Sequence, residues 1–171
     1  MKRPQSNEYP AAAERYINLI KTDNVLKLLK DQIWEMQTLV SNIPEEKEEY
    51  AYAAGKWTIK QVMGHMIDAE RIFGYRALCF SRNDKTPLPG FDENFYVENS
   101  NFNEQSLHDL AREFAVLRES NIAMIKYFDE KKMDLQGTAN GNNVSVRSIV
   151  YMIAGHITHH INVIKSNYLV D

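Results

Sequence analysis

The chain has 171 residues, of which 44% are hydrophobic and 25% are charged, and its formal net charge at pH 7 is −3. These values predict one globular domain spanning residues 1–171, and they give no electrostatic reason to expect nucleic-acid or membrane partners. The single cysteine, Cys79, excludes an intrachain disulfide framework. Because neither a signal peptide nor a membrane-length apolar run is visible, we expect a cytoplasmic protein.

Two long helices are predicted in the first half of the chain. Apolar residues recur at three- and four-residue spacing over residues 23–41, with Thr22 or Asp23 available as the N-cap. A shorter helical piece at 11–21 precedes this helix. The second helix covers residues 58–81 and opens with the sequence TIKQ, which matches a capping box.

Two more long helices are predicted in the second half, over residues 105–128 and over residues 145–165 with Ser145 as the N-cap. Residues 81–105 are rich in Pro, Gly, Asn and Asp, and a connection of this length in a helix bundle indicates a crossover. Residues 134–143 are predicted to form a turn, which could include a short hairpin. The fold class is therefore all-α, a four-helix bundle with a long crossover between the second and third helices.

The histidines are the main candidates for chemistry. His156 and His160 are four residues apart inside the apolar arc of the last helix, and imidazoles at this spacing project from one face. His65 lies at the edge of the apolar arc of the second helix and can also face inward. A hydrogen-bonded core role is the plainer interpretation, but three imidazoles in one core suit a shared metal ion. His159 is the rival ligand, and we expect His108 to be a surface residue.

Other polar and aromatic residues support less specific predictions. Asp68 and Glu70 could accept hydrogen bonds from ligand imidazoles, although a solvated position paired with a cation is favoured for Glu70. Arg76 follows His65 on nearly the same helical face. It could meet an anionic substrate or pair with a carboxylate of a neighbouring helix. Both tryptophans, Trp34 and Trp57, are predicted to anchor the core.

Four segments of the chain form a recognisable set: residues 14–21, 55–79, 86–97 and 137–170. Together they resemble the DinB-like family, in its YfiT-like branch of metal-dependent enzymes. The resemblance implies a four-helix bundle with a long crossover, frequent homodimers, a small-molecule substrate and a divalent metal (zinc, nickel or manganese). By position it implies that His65, His156 and His160 are the metal ligands.

The resemblance leaves the reaction open between several hypotheses. The leading one is transfer of a low-molecular-weight thiol such as bacillithiol to an electrophilic substrate, because a metal lowers the pKa of a bound thiol. Asp68, Asp92 and Glu93 are candidates to take the proton or hold the substrate. The alternatives are hydrolysis by a metal-activated water, and a non-catalytic metal-binding module closed by a fourth ligand such as His159. A bundle without metal is the remaining possibility.

Overall fold

A computed structural model describes residues 1–170. Four long helices form the bundle: α2 (Val25–Ser41), α3 (Ile59–Ser81), α5 (Leu107–Ile125) and α7 (Val146–Val163), the last continued by a π-helical turn at Ile164–Tyr168. The shorter elements are α1 (Glu14–Ile17), α4 (Glu93–Glu98), α6 (Glu130–Met133), strands β1 (Gln136–Ala139) and β2 (Asn142–Ser145), and 3-10 turns at Ser6–Glu8, Ala11–Ala13, Glu45–Lys47 and Phe102–Glu104. The predicted all-α four-helix bundle is confirmed. Within residues 1–170 no helix is long and apolar enough to cross a membrane.

The predicted caps of the two helices that carry the histidines are present. Thr58 accepts a hydrogen bond from the backbone N–H of Gln61, while the Gln61 side chain accepts one from the Thr58 N–H at 2.9 Å. This reciprocal pair is the capping box that TIKQ predicted. Ser145 Oγ accepts a hydrogen bond from the N–H of Ser148 at 2.9 Å and fixes the start of α7.

The start of α2 lies slightly later than the sequence indicated. Asn24, rather than Thr22 or Asp23, is the N-cap, and its side chain accepts a hydrogen bond from the N–H of Lys27 at 3.2 Å. Thr22 instead accepts a hydrogen bond from the N–H of Asn24 at 3.1 Å. The three polar residues in a row made the capping position ambiguous, because each can perform this role.

The connection between α3 and α5 is a true crossover, because these neighbouring helices are parallel. Lys60, near the start of α3, donates to the carbonyl of Asn103, just before α5, at 3.4 Å. Gly74, near the end of α3, faces Asn121, near the end of α5. Residues 82–106 must therefore return along the length of the bundle before α5 begins.

The other pair of parallel helices is α2 and α7. Gln32 of α2 donates to the carbonyl of Ala154, and Glu35, one turn later, accepts a hydrogen bond from Lys165 beyond the end of α7. Both helices run antiparallel to α3 and α5. The four helices thus run up, down, down and up in chain order, and around the bundle α2 is followed by α5, α3 and α7.

A two-stranded hairpin closes the end of the bundle at which α3 ends and α7 begins. β1 and β2 pair antiparallel, and the turn residues Asn140 and Gly141 have φ values of 50° and 71°. Positive φ at both positions is the type I′ geometry that Asn-Gly favours. Leu88 of the crossover joins β1 by donating to the carbonyl of Thr138 at 2.9 Å and accepting from the N–H of Asn140 at 3.0 Å. The hairpin therefore anchors the crossover.

A buried ion pair connects α3 to α5. The Arg118 side chain is fully buried, and its Nε and Nη2 donate to the two carboxylate oxygens of Glu70 at 2.9 and 2.8 Å. Glu70 is only 1% exposed, so the solvated position predicted for it is wrong, although its pairing with a cation is correct. Periodicity alone could not reveal Arg118, because that residue lies on a helix far away in the sequence.

Gln32 extends this ion pair to the other two helices. Its Oε1 accepts a hydrogen bond from Arg118 Nη1 at 2.7 Å, and its Nε2 donates to the Ala154 carbonyl at 2.9 Å and to Thr158 Oγ1 at 3.0 Å. We call Gln32, Glu70 and Arg118 the buried network. Each of the four bundle helices contributes to or contacts it.

The prediction for Trp34 is wrong. Its side chain is 71% exposed. Trp34 is about 200° around α2 from Gln32 and from Met36, both of which are buried, so it must point away from the core. Trp57 is half-buried and packs beside His65.

We expect Arg118→Leu to lower the free energy of unfolding by about 3–5 kcal/mol, because it leaves the Glu70 carboxylate buried without a cation. The double variant Glu70→Leu/Arg118→Leu should regain part of this loss. Urea denaturation measures both. Arg112→Leu, an exposed arginine of the same helix, is the control and should change stability by less than about 0.5 kcal/mol. A loss below about 1 kcal/mol for Arg118→Leu would contradict the central role of the network.

Candidate metal centre

Three histidines meet between α3 and α7. His65 Nε2 lies 3.0 Å from His156 Nε2, and His160 Nε2 lies 3.2 Å from the same atom. His65 and His156 are 7% and 4% exposed, and His160 is partly exposed at one side. The structure thus brings together the three residues selected from the sequence. Their role as metal ligands stays a prediction.

The residue before each deep histidine is a glycine, and each glycine allows a close approach. A Cβ at position 64 would lie 2.2 Å from the ring of Phe102, and a Cβ at position 155 would lie 2.2 Å from the carbonyl oxygen of Tyr16. The 3-10 turn at Phe102–Glu104 therefore packs in close contact with α3, and α1 packs in close contact with α7. The Gly-His pair in two helices was a signal that the sequence analysis missed, since glycine in a helix interior needs a packing reason.

Aromatic side chains enclose the cluster. The Tyr16 and Phe73 rings meet the His156 ring edge-on, with centroids 5.3 and 5.8 Å apart, and Trp57 lies 4.9 Å from His65. These contacts fix the orientation of the imidazoles and exclude water from their sides. Tyr16 also went unrecognised in the sequence, because α1 is too short to show a periodic pattern.

The environment keeps the three imidazoles neutral. Burial lowers the pKa of His65 to about 4, although the carboxylate of Glu93 acts in the opposite direction. Burial also lowers the pKa of His160 to about 3, with His65 adding to the effect. For His156, burial and then the neighbouring rings hold the pKa well below its ordinary value. Neutral rings at physiological pH have the free lone pair that a metal ligand needs.

The hydrogen-bonding capacity of the three imidazoles favours a cation shared between them. A neutral imidazole nitrogen has either a proton or a lone pair, so His156 Nε2 can satisfy one of its two nitrogen neighbours. A shared metal would satisfy all three nitrogens. Two nitrogens at 2.0–2.1 Å from a tetrahedral zinc ion are about 3.3 Å apart, close to the observed 3.0 and 3.2 Å. The donor set therefore fits a divalent metal.

The remaining histidines and carboxylates lie outside the cluster. Among residues 1–170, the three histidines form a group that no fourth His, Cys, Asp or Glu joins. His159 is half-buried at the rim, with its ring 4.9 Å from that of His160, and His108 is exposed as predicted. Asp68 pairs with Arg71, as Glu70 does with Arg118, so neither carboxylate orients a ligand imidazole.

The open side of the cluster leads into a cavity of about 290 Å³ beside His160. We call it the His160 cavity. Its polar lining residues include Lys56, Asn94 and His159. The crossover supplies Asn94 and places the exposed carboxylate of Glu93 close enough to influence His65. Asp92 is used differently, as the N-cap of α4 that accepts from the N–H groups of Asn94 and Phe95.

Antiparallel bundle helices that direct three histidines to one point define a helical-bundle protein with a candidate metal centre. The chain belongs to the DinB superfamily, whose family model matches residues 28–164. Among solved structures, it is similar to YfiT from Bacillus subtilis, with 15% identity and a TM-score of 0.76 over 96% of this chain and 90% of that one. YfiT is described as a probable metal-dependent hydrolase with an unusual four-helix bundle topology. At this identity the likeness shows the shared fold. No curated protein matches the chain.

We expect His65→Ala, His156→Ala and His160→Ala each to lower metal affinity by more than about 100-fold, because each removes a ligand. Mutation of a residue that only hydrogen-bonds to a ligand typically costs about 10–100-fold. Elemental analysis of protein purified without chelator or histidine tag measures the metal content. His108→Ala should retain the wild-type amount, about one ion per chain. Equal metal content in all four variants would place the metal elsewhere.

In the metal-free protein, the lowered pKa of His65 predicts a loss of stability in acid. Below the unfolded-state pKa of about 6.5 the unfolded chain binds a proton. The folded chain binds it only near pH 4. Stability is therefore full above about pH 6.5 and falls as the pH approaches 4.

Urea titrations in EDTA from about pH 7.5 to about pH 4.5 measure this slope. His65→Gln should make the slope less steep without abolishing it, because His156 and His160 also have lowered pKa values. His108→Gln should reproduce the slope of the wild type. A slope unchanged by His65→Gln would show that the buried imidazole does not resist protonation.

Proposed function

We propose that His65, His156 and His160 hold a divalent cation and that the protein is a metal-dependent enzyme acting on a small molecule. The observation that carries this proposal is the convergence of the three Nε2 atoms at a buried point with one open side. Sites with three protein ligands and an open position are typical of catalytic metals. An imidazole-only set suits zinc or nickel better than manganese, which prefers oxygen ligands.

The chain's own residues supply the binding and orientation. A cation held by His65, His156 and His160 would supply Lewis acidity, which would lower the pKa of a water or thiol bound to it. Trp57, Phe73 and Tyr16 keep bulk water from the sides of the imidazoles. In the His160 cavity, the Lys56 ammonium and the Asn94 amide can donate hydrogen bonds to substrate oxygens.

Hydrolysis is the reaction that we propose first. The description of YfiT as a probable metal-dependent hydrolase supports it, as does the overlap of the two folds. The open position beside three neutral imidazoles is also what water activation requires.

Transfer of a low-molecular-weight thiol such as bacillithiol to an electrophile is the second candidate. The same cation would favour the thiolate form. Lys56 in the His160 cavity could pair with a carboxylate of such a thiol. A closed, non-catalytic metal-binding module is less well supported, because no fourth donor joins the histidines among residues 1–170.

One assay separates the two reactions. Metal-loaded protein is offered 4-nitrophenyl esters and 1-chloro-2,4-dinitrobenzene, each with and without bacillithiol. A hydrolase consumes the ester without thiol, and a transferase consumes the chloride only when thiol is present. His156→Ala should lower the rate by on the order of 100-fold or more, because the cation's contribution is several kcal/mol. His108→Ala is the control, and full activity in His156→Ala would exclude this centre.

A homodimer is also part of the proposal, and sedimentation equilibrium of the metal-loaded protein tests it.

A further inference from the structure

Arg76 is a buried cation without an anionic partner. The residue is 9% exposed, and its Nη2 donates one hydrogen bond, to the carbonyl oxygen of Pro89 at 2.8 Å. Within residues 1–170 no carboxylate forms an ion pair with it, and burial alone lowers the pKa of its guanidinium. The other buried arginines are neutralised, Arg118 by Glu70 and Arg147 by Asp134 and Glu130. The sequence left two roles open for Arg76, and an ion pair with a carboxylate of a neighbouring helix is absent within residues 1–170.

The single hydrogen bond to Pro89 does not account for the buried charge. The crossover is already held at this point by the hydrogen bonds between Leu88 and the β1–β2 hairpin, and Gly90 lies tightly against Asn140. A guanidinium has five N–H donors, and most of those of Arg76 have no protein acceptor. The guanidinium nitrogens without a protein acceptor are not sealed inside the protein, so they face the adjoining cavity, where an anion can accept their hydrogen bonds.

Arg76 lines a cavity of about 310 Å³ between α3 and the crossover, which we call the Arg76 cavity. The volume is at the lower end of the range for small-molecule sites. Arg71 also lines it, but Asp68 and Glu113 neutralise that residue. The rest of the lining is mainly apolar and aromatic: Ile72, Tyr75, Leu88, Pro89, Phe91 and Tyr96.

We propose that the Arg76 cavity binds a small organic monocarboxylate, with the carboxylate on the Arg76 guanidinium and the apolar or aromatic body against Tyr75, Phe91 and Tyr96. A guanidinium binds a carboxylate through two parallel hydrogen bonds. One free positive charge matches one negative charge, so a phosphate dianion would lack a second cation.

The Arg76 cavity is separate from the metal centre. The Phe73 ring lies between them, with its centroid 5.8 Å from that of His156 and 6.0 Å from Cζ of Arg76. Binding at Arg76 therefore requires no metal, and the proposal stands without the proposed enzymatic function. Metal-free protein is the right sample, because a carboxylate could otherwise bind to the metal itself.

The test is an NMR titration of ¹⁵N-labelled, EDTA-treated protein with phenylacetate and, as the neutral analogue, phenylacetamide. We expect saturable shifts at residues 71–76 and 88–96 with phenylacetate and at least about tenfold weaker binding of the amide, because the hydrogen bonds to a charged partner are lost. Inorganic phosphate should bind more weakly than phenylacetate. Equal binding of acid and amide, tighter binding of phosphate, or shifts confined to residues 156–160 would overturn the proposal.

Variants of Arg76 test whether its guanidinium is the group that binds phenylacetate. Arg76→Met keeps the apolar stem and should weaken phenylacetate binding at least about tenfold, whereas Arg112→Met, on the exposed face of α5, should leave it unchanged. Arg76→Lys keeps a charge and a donor for Pro89 but loses the paired geometry, and we expect intermediate affinity. If Arg76→Met does not fold, the proposal is tested by the phenylacetate affinity of Arg76→Lys and by the comparison of phenylacetate with phenylacetamide on the wild-type protein. Wild-type affinity in both Arg76 variants would overturn the proposal.

Discussion

The ion pair between Arg118 and Glu70, extended by Gln32, is the interaction on which the rest of the bundle depends. Desolvating two charges offsets much of their attraction, so the pair contributes more to the choice of one packing arrangement than to stability. Its effect reaches the metal centre directly. Gln32 donates to Ala154 and Thr158, which flank His156 on α7, and Glu70 is five residues after His65 on α3. A rotation of either helix that moved a histidine away would also leave a buried charge or amide unpaired.

Close packing of neighbouring elements also helps to position the histidines. Gly64 admits Phe102 and Gly155 admits the backbone of Tyr16, each beside a histidine. The histidines are therefore held by elements packed on the outer sides of α3 and α7 as well as by the contact between these helices. Ligands fixed in this way lose little conformational freedom on binding, so the cluster is preorganised for a cation. The same enclosure causes the low pKa values of the rings, because it removes the water that would stabilise the protonated forms.

The sequence predicted whatever depends on local periodicity and capping, and it missed what depends on partners far along the chain. The four helices, the Thr58 and Ser145 caps and the inward phase of the histidines follow from spacing within one helix. The burial of Glu70 does not, because its partner Arg118 is 48 residues away. The prediction for Trp34 failed for another reason: large aromatic residues are commonly buried, but the position of Trp34 on α2 lies opposite the buried Gln32 and Met36. For Arg76 the sequence left two roles open, since only the tertiary structure shows whether a carboxylate reaches it.

The crossover connects the topology of the fold to both cavities. Because α3 and α5 are parallel, the chain must return along the bundle after Ser81, and the returning segment passes over the outer surface of α3. On the way it contributes Pro89 and Phe91 to the Arg76 cavity, then Asn94 to the His160 cavity and Glu93 near His65. An antiparallel hairpin between the same helices would leave this face of α3 bare and Arg76 open to water. Parallel helices require a long connection, and here the same connection covers the unpaired guanidinium of Arg76 and borders the open side of the three histidines.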